Sequence, residues 1–122
     1  RCAERVVSRG LVNLQVATDD GSLGFHGTVI ALMEQSLSDY GIERPRIFAC
    51  GPNAMLKATQ EFASLRGIPC ELSLESEMAC GIGICQGCPI ERTEGERKYA
   101  MVCTEGPCFD SQDIHFHEHH HA

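Results

Sequence analysis

Apolar and polar residues alternate along short segments of the chain in the way that is typical of strands. Residues 11–18 alternate leucine and valine with polar neighbours, which predicts a half-buried strand that ends in a turn at Asp19. Residues 46–50 form a short apolar run, and residues 70–74 alternate again. These two segments predict a second and a third strand.

Between the strands, apolar residues recur at the spacing of three and four that places them on one face of a helix. Thr28 can cap a first helix, and Gly41 can end it. A second helix is predicted after Pro52, because proline is tolerated in a first turn, and Gly67 fits just past its end. Its predicted inward face consists of Met55, Leu56, Thr59, Phe62 and Ala63. Strands that alternate with helices predict an α/β fold with a parallel sheet and right-handed crossovers.

After the third predicted strand the chain becomes rich in glycine and cysteine. Cys80, Cys85 and Cys88 are separated by four and two residues, which is the plant-type spacing for a [2Fe–2S] cluster. Either Cys103 or Cys108 can supply the fourth thiolate by spacing alone. Glycines let a loop wrap closely round a cluster and leave N–H groups free to point at sulfur; those of this loop are Gly81, Gly83 and Gly87. Beyond Cys103 the sequence shows little regular pattern.

Other kinds of cysteine site explain this spacing less well. A structural zinc site usually pairs two Cys-x-x-Cys units, whereas only Cys85 and Cys88 have that spacing. A thioredoxin-like redox motif leaves Cys80 unexplained, and the bacterial four-iron run needs a second two-residue gap. A disulfide framework is typical of secreted chains, and nothing here resembles a secretory signal. We therefore favour the [2Fe–2S] interpretation.

Composition narrows the class of protein. A net charge of −7 over 122 residues argues against a nucleic-acid surface, and no apolar run approaches the length of a membrane span. Eight cysteines without a secretory signal indicate a reducing compartment, so we expect a cytoplasmic protein. The chain begins at Arg1 rather than methionine, and we expect it to be the C-terminal part of something longer.

Two loops follow predicted strands at the edge where an open parallel sheet gathers its ligands. One runs from Asp19 to Gly27, and the other is Cys50-Gly51-Pro52-Asn53. The second loop places a thiol and a glycine at a helix N-terminus, which favours a polar or anionic ligand. On these residues alone, a buried Cys50 in a routine turn is the more favoured interpretation. No G-x-G-x-x-G sequence accompanies the loops, so a complete dinucleotide fold is not predicted.

Several motifs occur in an order that is more specific than any one of them. They are Asp19-Asp20-Gly21-Ser22, Ala49-Cys50-Gly51-Pro52, Ser73-Leu74-Glu75, Met78-Ala79-Cys80-Gly81-Ile82-Gly83-Ile84-Cys85 and Cys103-Thr104-Glu105-Gly106-Pro107. Over about residues 16–114, the chain resembles the electron-transfer subunit of bacterial NAD-dependent dihydroorotate dehydrogenase, in the ferredoxin reductase-like superfamily.

The resemblance implies a set of ligands and cofactors. It makes the cluster ligands Cys80, Cys85, Cys88 and Cys103, which removes Cys108. It implies that the Cys50-Gly51-Pro52 loop lies by the nicotinamide and the flavin, and that the Asp19-Asp20-Gly21 turn lies near the nucleotide. Electrons would pass between NAD, FAD, the [2Fe–2S] cluster and the FMN of a catalytic partner that oxidises dihydroorotate in pyrimidine biosynthesis, within a hetero-oligomer.

The resemblance also implies two segments. Residues 1–74 would be the C-terminal half of a nicotinamide-nucleotide-binding domain with a partial parallel, Rossmann-like sheet. Residues 75–114 would be a small, loop-rich [2Fe–2S] domain. Independently of the resemblance, the histidine content and terminal position of residues 115–122 predict a tail that is disordered or was added to the protein. The flavin barrel and the glycine-rich loop of that family have no counterpart here. We therefore expect the chain alone to bind FAD poorly and to be catalytically incomplete.

Two alternatives stay open at this point. A related flavin and iron–sulfur subunit of a hydrogenase or an anaerobic sulfite reductase would share the Cys-Gly-Pro turn and the cysteine loop. A zinc-stabilised binding module would use the same thiols without electron transfer.

Overall fold

The computed structural model describes residues 13–116. The chain divides into two compact units, one ending at Ile42 and the other beginning at Glu43. Residues 11 and 12 of the first predicted strand and residues 117–122 of the predicted tail lie outside the described residues. Among residues 13–116, none of the helices is long and apolar enough to cross a membrane.

Over residues 13–42, the first unit contains two short parallel strands and one helix: β1 (Ala17–Thr18), β2 (Phe25–His26) and α1 (Val29–Asp39). The hydroxyl of Thr28 accepts a hydrogen bond from the N–H of Ala31 at 3.2 Å, so the predicted cap of this helix is confirmed. The strand predicted over residues 11–18 is present only at Ala17–Thr18 among the residues described. The alternation of apolar and polar residues predicted a strand with one buried and one exposed face. A strand also needs a neighbouring strand to pair with, and β2 pairs with this segment over only two residues.

The second unit is built on a three-stranded sheet in the order β3 (Ile47–Cys50), β4 (Cys70–Ser73) and β7 (Cys108–Asp110). Strands β3 and β4 are parallel and are joined through helix α2 (Asn53–Arg66), as the sequence predicted. Strand β7 joins β4 in the antiparallel direction. The α/β class is therefore confirmed, while the Rossmann-like character of the sheet stays a prediction.

Helix α2 packs through the face that its apolar spacing predicts. Its buried residues are Leu56, Thr59, Phe62 and Ala63. The buried hydroxyl of Thr59 donates to the carbonyl oxygen of Met55 at 2.8 Å, so it carries no unpaired polar atom into the core. Gly67 adopts a left-handed conformation with φ of 63° just past the helix, and it ends the helix as predicted.

A second, smaller sheet follows the cysteine-rich loop. Its order is β6 (Tyr99–Met101), β5 (Pro89–Arg92) and β8 (Ile114–His115), and all its pairings are antiparallel. A single-turn helix, α3 (Val102–Glu105), follows β6, and a 3₁₀ helix (Ser111–Asp113) precedes β8. The core residues of this region include Ala100, Val102 and Ile114.

The C-terminal segment contacts both parts of the second unit. Strand β7 extends the sheet of β3 and β4, and β8 extends the smaller sheet. The side-chain amide of Gln60 on α2 donates to the carbonyl oxygens of Ser111 and Ile114, the latter at 2.7 Å. The predicted boundary between residues 74 and 75 stays a prediction, and β7 pairs with β4 across it.

Candidate metal centre

The first three cysteines lie in an irregular loop, residues 80–88, which we call the cluster loop. The sulfur of Cys80 accepts hydrogen bonds from the backbone N–H groups of Ile82 and Cys85, at 3.5 and 3.4 Å. The sulfur of Cys85, which is exposed, accepts one from the N–H of Gly87 at 3.4 Å. The loop therefore folds back on its own sulfurs, as its glycine content had predicted.

Cys88 and Cys103 come together at the inner end of the cluster loop. Cys88 is only 3% exposed, and its sulfur accepts a hydrogen bond from the N–H of Cys103 at 3.5 Å. Its carbonyl oxygen accepts a second one, at 3.0 Å, from the N–H of Val102. Two consecutive backbone groups of helix α3 thus hold the fourth predicted ligand against the third.

Two residues show how tightly the cluster loop is folded. Gly83 has φ of 80°, and a Cβ atom there would lie 3.1 Å from the methyl group of Thr104, so a side chain would be strained and crowded. Gln86 has φ of 53° and is the non-glycine residue with positive φ in the described chain. Its left-handed conformation turns the chain between Cys85 and Cys88.

Hydrogen bonding shifts the acidity of two of the thiols in opposite directions. The N–H of Cys85, followed by that of Ile82, stabilises the thiolate of Cys80 and lowers its pKa to about 6. The pKa of Cys103 is raised, first by its side-chain hydrogen bond with Cys88 and then by burial. Negative charge on Cys88 and Cys80 also raises the pKa of Cys103, so these sulfurs are close enough to interact.

Helix α3 is held by an acidic side chain that the sequence did not single out as functional. One carboxylate oxygen of Glu105 accepts from the N–H of Met101 at 2.8 Å, and the other accepts from Arg92 at 3.0 Å and Arg97 at 2.8 Å. These bonds, that of Met101 foremost, lower the pKa of the carboxyl group of Glu105. We call residues 101–106 the Cys103 turn. Only the position of Glu105, two residues after a predicted ligand, was a signal in the sequence.

The four cysteines predicted as ligands lie close together in pairs. Among residues 13–116, no three histidine, cysteine or acidic side chains are arranged so that they could hold one metal ion. The cysteines instead meet in two pairs, Cys80 with Cys85 and Cys88 with Cys103, each through an N–H···S contact. If a [2Fe–2S] cluster were bound, these four cysteines would be the thiolates that hold it.

Cys108 belongs to neither of these cysteine pairs, because it lies on a strand of the larger sheet. It is exposed on β7, where it stands opposite Ser73 of β4.

Cys50 is exposed at the end of β3, so the interpretation of a buried thiol in that turn is wrong. Gly51 and Pro52 follow it and lead into α2, as expected.

The turn at Asp19, Asp20 and Gly21 lies in the first unit. The carboxylate of Asp20 accepts from the N–H of Ser22 at 2.9 Å, and hydrogen bonds with Ser22 lower the pKa of Asp20. The carboxylate of Asp20 is therefore used to shape the turn. The role of these residues, like that of the Cys50 loop, in binding a nucleotide stays a prediction.

Comparison with known proteins gives a consistent family. The iron–sulfur cluster binding domain of dihydroorotate dehydrogenase B matches residues 75–115. The chain is 38% identical over 108 residues to the electron transfer subunit of dihydroorotate dehydrogenase B (NAD(+)) from Caldanaerobacter subterraneus, covering 88% of this chain and 42% of that protein. It is 41% identical over 99 residues to the same subunit from Geobacillus thermodenitrificans, covering 81% of this chain and 36% of that one. The chain thus spans about two fifths of the length of these relatives.

A solved structure has a similar fold. The NADH-dependent reduced ferredoxin-NADP oxidoreductase, described in connection with flavin-based electron bifurcation, aligns with a TM-score of 0.62 and 27% identity. The alignment covers 84% of this chain and 35% of that one.

Proposed function

We propose that the chain belongs, through residues 75–115, to the dihydroorotate dehydrogenase B electron-transfer family and that it relays electrons through a [2Fe–2S] cluster, because its matched relatives carry that name. The proposed route runs between NAD and FAD on one side and the FMN of a dihydroorotate dehydrogenase catalytic subunit on the other. The chain is then one part of a hetero-oligomer in pyrimidine biosynthesis. A cytoplasmic setting belongs to the same proposal, because thiolate ligands need a reducing compartment.

The observation that carries the proposal is the pairing of the thiols. Cys80 with Cys85 and Cys88 with Cys103 give the two pairs that two irons require. The N–H of Cys103 points at the sulfur of Cys88, whereas Cys108 is paired with another strand, which supports Cys103 as the fourth ligand.

The chain's own contribution is to hold the thiolates and to tune their charge. A [2Fe–2S] group, when bound, takes up one electron at a time, which suits a relay from two-electron flavin chemistry. Backbone N–H groups at Ile82, Cys85 and Gly87 donate to ligand sulfurs. Such donors stabilise added negative charge, so these positions favour the reduced state.

A nucleotide role for the other part of the chain rests on topology. Parallel strands β3 and β4 with the crossover helix α2 are consistent with part of a Rossmann-like sheet. The Cys50-Gly51-Pro52 loop follows the carboxyl end of β3, which is where such sheets bind ligands. We propose this loop as the nicotinamide and flavin contact, and the Asp19-Asp20-Gly21 turn as a further nucleotide contact. The FAD site would be completed by segments other than residues 1–122.

The test is anaerobic purification followed by iron and sulfide analysis and by EPR after reduction. We expect a red-brown protein with two irons per chain and a signal from one unpaired electron. Cys103→Ser should lose the cluster and Cys108→Ser should retain it, so the second variant is the matched control. A colourless protein that holds zinc and takes up no iron on reconstitution would contradict the proposal and favour a zinc-stabilised module.

The catalytic partner is tested separately. Co-purification with an FMN protein that oxidises dihydroorotate would support the proposed pathway. The likeness to an NADH-dependent reduced ferredoxin-NADP oxidoreductase is consistent with a wider group of electron-transfer proteins, so the second candidate remains a related flavin and iron–sulfur subunit such as that of a hydrogenase or an anaerobic sulfite reductase. Co-purification with such an enzyme and no dihydroorotate oxidation would decide for that candidate.

A further inference from the structure

We infer that Glu105 is a positioning residue for the cluster: its carboxylate, clamped by Arg92, Arg97 and the N–H of Met101, sets the placement of Cys103 against Cys88. The inference rests on the proposed function, because it concerns how two of the proposed ligands are held. It assigns a role to a side chain that itself provides no thiolate.

The clamp ties together the two backbone segments that carry these cysteines. Arg92 ends β5, the strand that begins directly after Cys88. Met101 immediately precedes α3, the helix that contains Cys103. Because Glu105 bonds to both residues at once, it fixes the separation of the segments at a point beyond the sulfurs themselves.

The geometry of the turn depends on this carboxylate. Helix α3 has only four residues, and Met101, at its N-cap, has no side-chain hydrogen bond that could cap it. The carboxylate of Glu105 reaches back over the turn and accepts a hydrogen bond from the N–H of Met101 itself, at 2.8 Å. The next two N–H groups, of Val102 and Cys103, are the ones that donate to Cys88. The orientation of these two N–H groups therefore depends on the conformation of the turn that Glu105 holds.

Both oxygens of the carboxylate are engaged, which distinguishes it from a surface ion pair. One oxygen takes the backbone N–H, and the other takes two guanidinium groups. The side chain of Glu105 is 22% exposed and that of Arg92 29%, so the pair is partly shielded from water. Charge-assisted bonds of this kind are stronger and more directional than an exposed pair.

The experiment compares four variants of the full chain with the cluster bound. Glu105→Gln keeps the size of the side chain and removes its charge, whereas Glu105→Asp keeps the charge and shortens the reach. Arg97→Gln removes one partner of the clamp. Lys98→Gln is its matched control, because it loses the same charge one residue along, and Lys98 pairs with Glu91 instead.

Cluster loss to a chelator and the EPR spectrum of the reduced cluster are the two readouts. Outer ligands of metal sites typically change affinity by about 10- to 100-fold when mutated. We expect Glu105→Gln and Glu105→Asp to lose the cluster about tenfold faster and to shift the g-values of the surviving cluster. Arg97→Gln should have a smaller effect of the same kind, and Lys98→Gln none.

Two results would overturn the inference. If Glu105→Gln only lowers the melting temperature and leaves the g-values unchanged, the residue stabilises the fold without positioning the ligand. If Arg97→Gln and Lys98→Gln have equal effects, only the local charge matters.

The cluster-free chain provides a readout that does not depend on iron. Amide hydrogen exchange at Val102 and Cys103 should be faster in Glu105→Gln than in the wild type, because the turn is no longer held. Unchanged exchange at both amides would contradict the clamp. The remaining outcome is that the wild-type protein fails to take up iron although Glu105→Gln still exchanges these amides faster than the wild type does. In that case the proposed function is wrong, whereas the role of Glu105 in holding the turn is upheld.

Discussion

The cluster loop and the Cys103 turn hold their cysteines by different means. In the cluster loop, the hydrogen bonds to Cys80 and Cys85 come from the loop's own backbone and end on sulfur. In the Cys103 turn, the order comes from side chains, namely the buried Val102 and the clamped Glu105. One segment is shaped around its own thiols, whereas the other is held mainly by side chains and adds a single N–H···S bond to Cys88.

This difference predicts how each segment behaves without a cluster. N–H···S bonds are weak with a neutral thiol and stronger with a thiolate, so the cluster loop depends on the charge that its sulfurs carry. Its exposed apolar residues, Ile82 and Ile84, provide little packing to compensate. The Cys103 turn keeps its carboxylate bonds in either state. We therefore expect the turn to be formed before the cluster binds, and the loop to hold together in the cluster-free chain only as far as an ionised Cys80 accepts its N–H groups.

The largest expected effect is that of removing one proposed ligand from the cluster loop. Cys85→Ser should abolish the cluster or disrupt it severely, because serine is a poor ligand for iron in place of a thiolate. The sheet of β3, β4 and β7 should remain folded, since Cys85 is exposed and contributes nothing to the core. Iron content with visible absorption measures the first effect, and far-UV circular dichroism measures the second. Normal absorption and iron content in this variant would contradict the assignment.

The second prediction compares the two segments through the acidity of their thiols in the cluster-free chain. A thiolate forms as the pH rises through the pKa, and only the thiolate is alkylated. The pKa of Cys80 is about 6. The rate of its alkylation should therefore rise through about pH 6 and be close to its maximum by about pH 7.5. The pKa of Cys103 is raised above the usual value of 9.0, so its alkylation should rise only above pH 9.

Mass spectrometry of alkylated peptides measures both profiles in one sample. At pH 7 we expect Cys80 to react at least about tenfold faster than Cys103. Identical profiles for the two thiols would show that the cluster loop does not fold back on Cys80 in the absence of iron.

The third prediction concerns the packing of the Cys103 turn. A Cβ atom at Gly106 would lie 2.5 Å from a ring carbon of Phe109 and 2.9 Å from the carbonyl oxygen of Val102, so one of these groups must shift. Overpacking of this kind costs about 1–3 kcal/mol. Gly106→Ala should therefore lower the free energy of unfolding of the cluster-free chain, as measured with urea.

Gly87→Ala is the matched control in the cluster loop. A Cβ atom there meets only the sulfur of Cys85, at an ordinary 3.4 Å. Its effect on the unfolding of the cluster-free chain should stay within about 0.5 kcal/mol. Equal losses in the two variants would mean that the turn is no better packed than the loop.

The contrast between local bonds in the cluster loop and distant side-chain contacts in the Cys103 turn also explains which features could be predicted from the sequence. Local signals sufficed for α2 with its end at Gly67, for β3 and β4, and for the spacing of the cysteines in the loop. Each of these follows from a period or a residue type within one segment. Strands β7 and β8 have three and two residues, too few to display an alternation, and only their distant partners make them strands.

The role of Glu105 was invisible for the same reason. Its partners Arg92 and Arg97 lie thirteen and eight residues earlier in the chain, with no periodic relation that would indicate a contact. The first predicted strand shows the opposite error, because residues 13–16 carry a strand pattern without the pairing. Pattern predicts which face of a segment is buried, and tertiary contacts decide what it is buried against.

The smallest expected effect is that of replacing Gln86 by glycine, which tests whether the left-handed backbone at this residue strains the cluster loop. Gln86 has φ of 53°, a conformation that costs a residue with a side chain on the order of 1 kcal/mol relative to glycine. Gln86→Gly removes this cost, and the greater freedom of glycine in the unfolded chain offsets most of the gain. We expect cluster loss to a chelator to slow by about twofold, while Gln86→Val should speed it, since a β-branched residue suits this conformation least. The urea unfolding of the cluster-free chain should be the same for both variants, because Gln86 is exposed and contributes nothing to the core. A change in that unfolding would show that the cluster loop, like the Cys103 turn, contributes to the stability of the chain before any iron is bound.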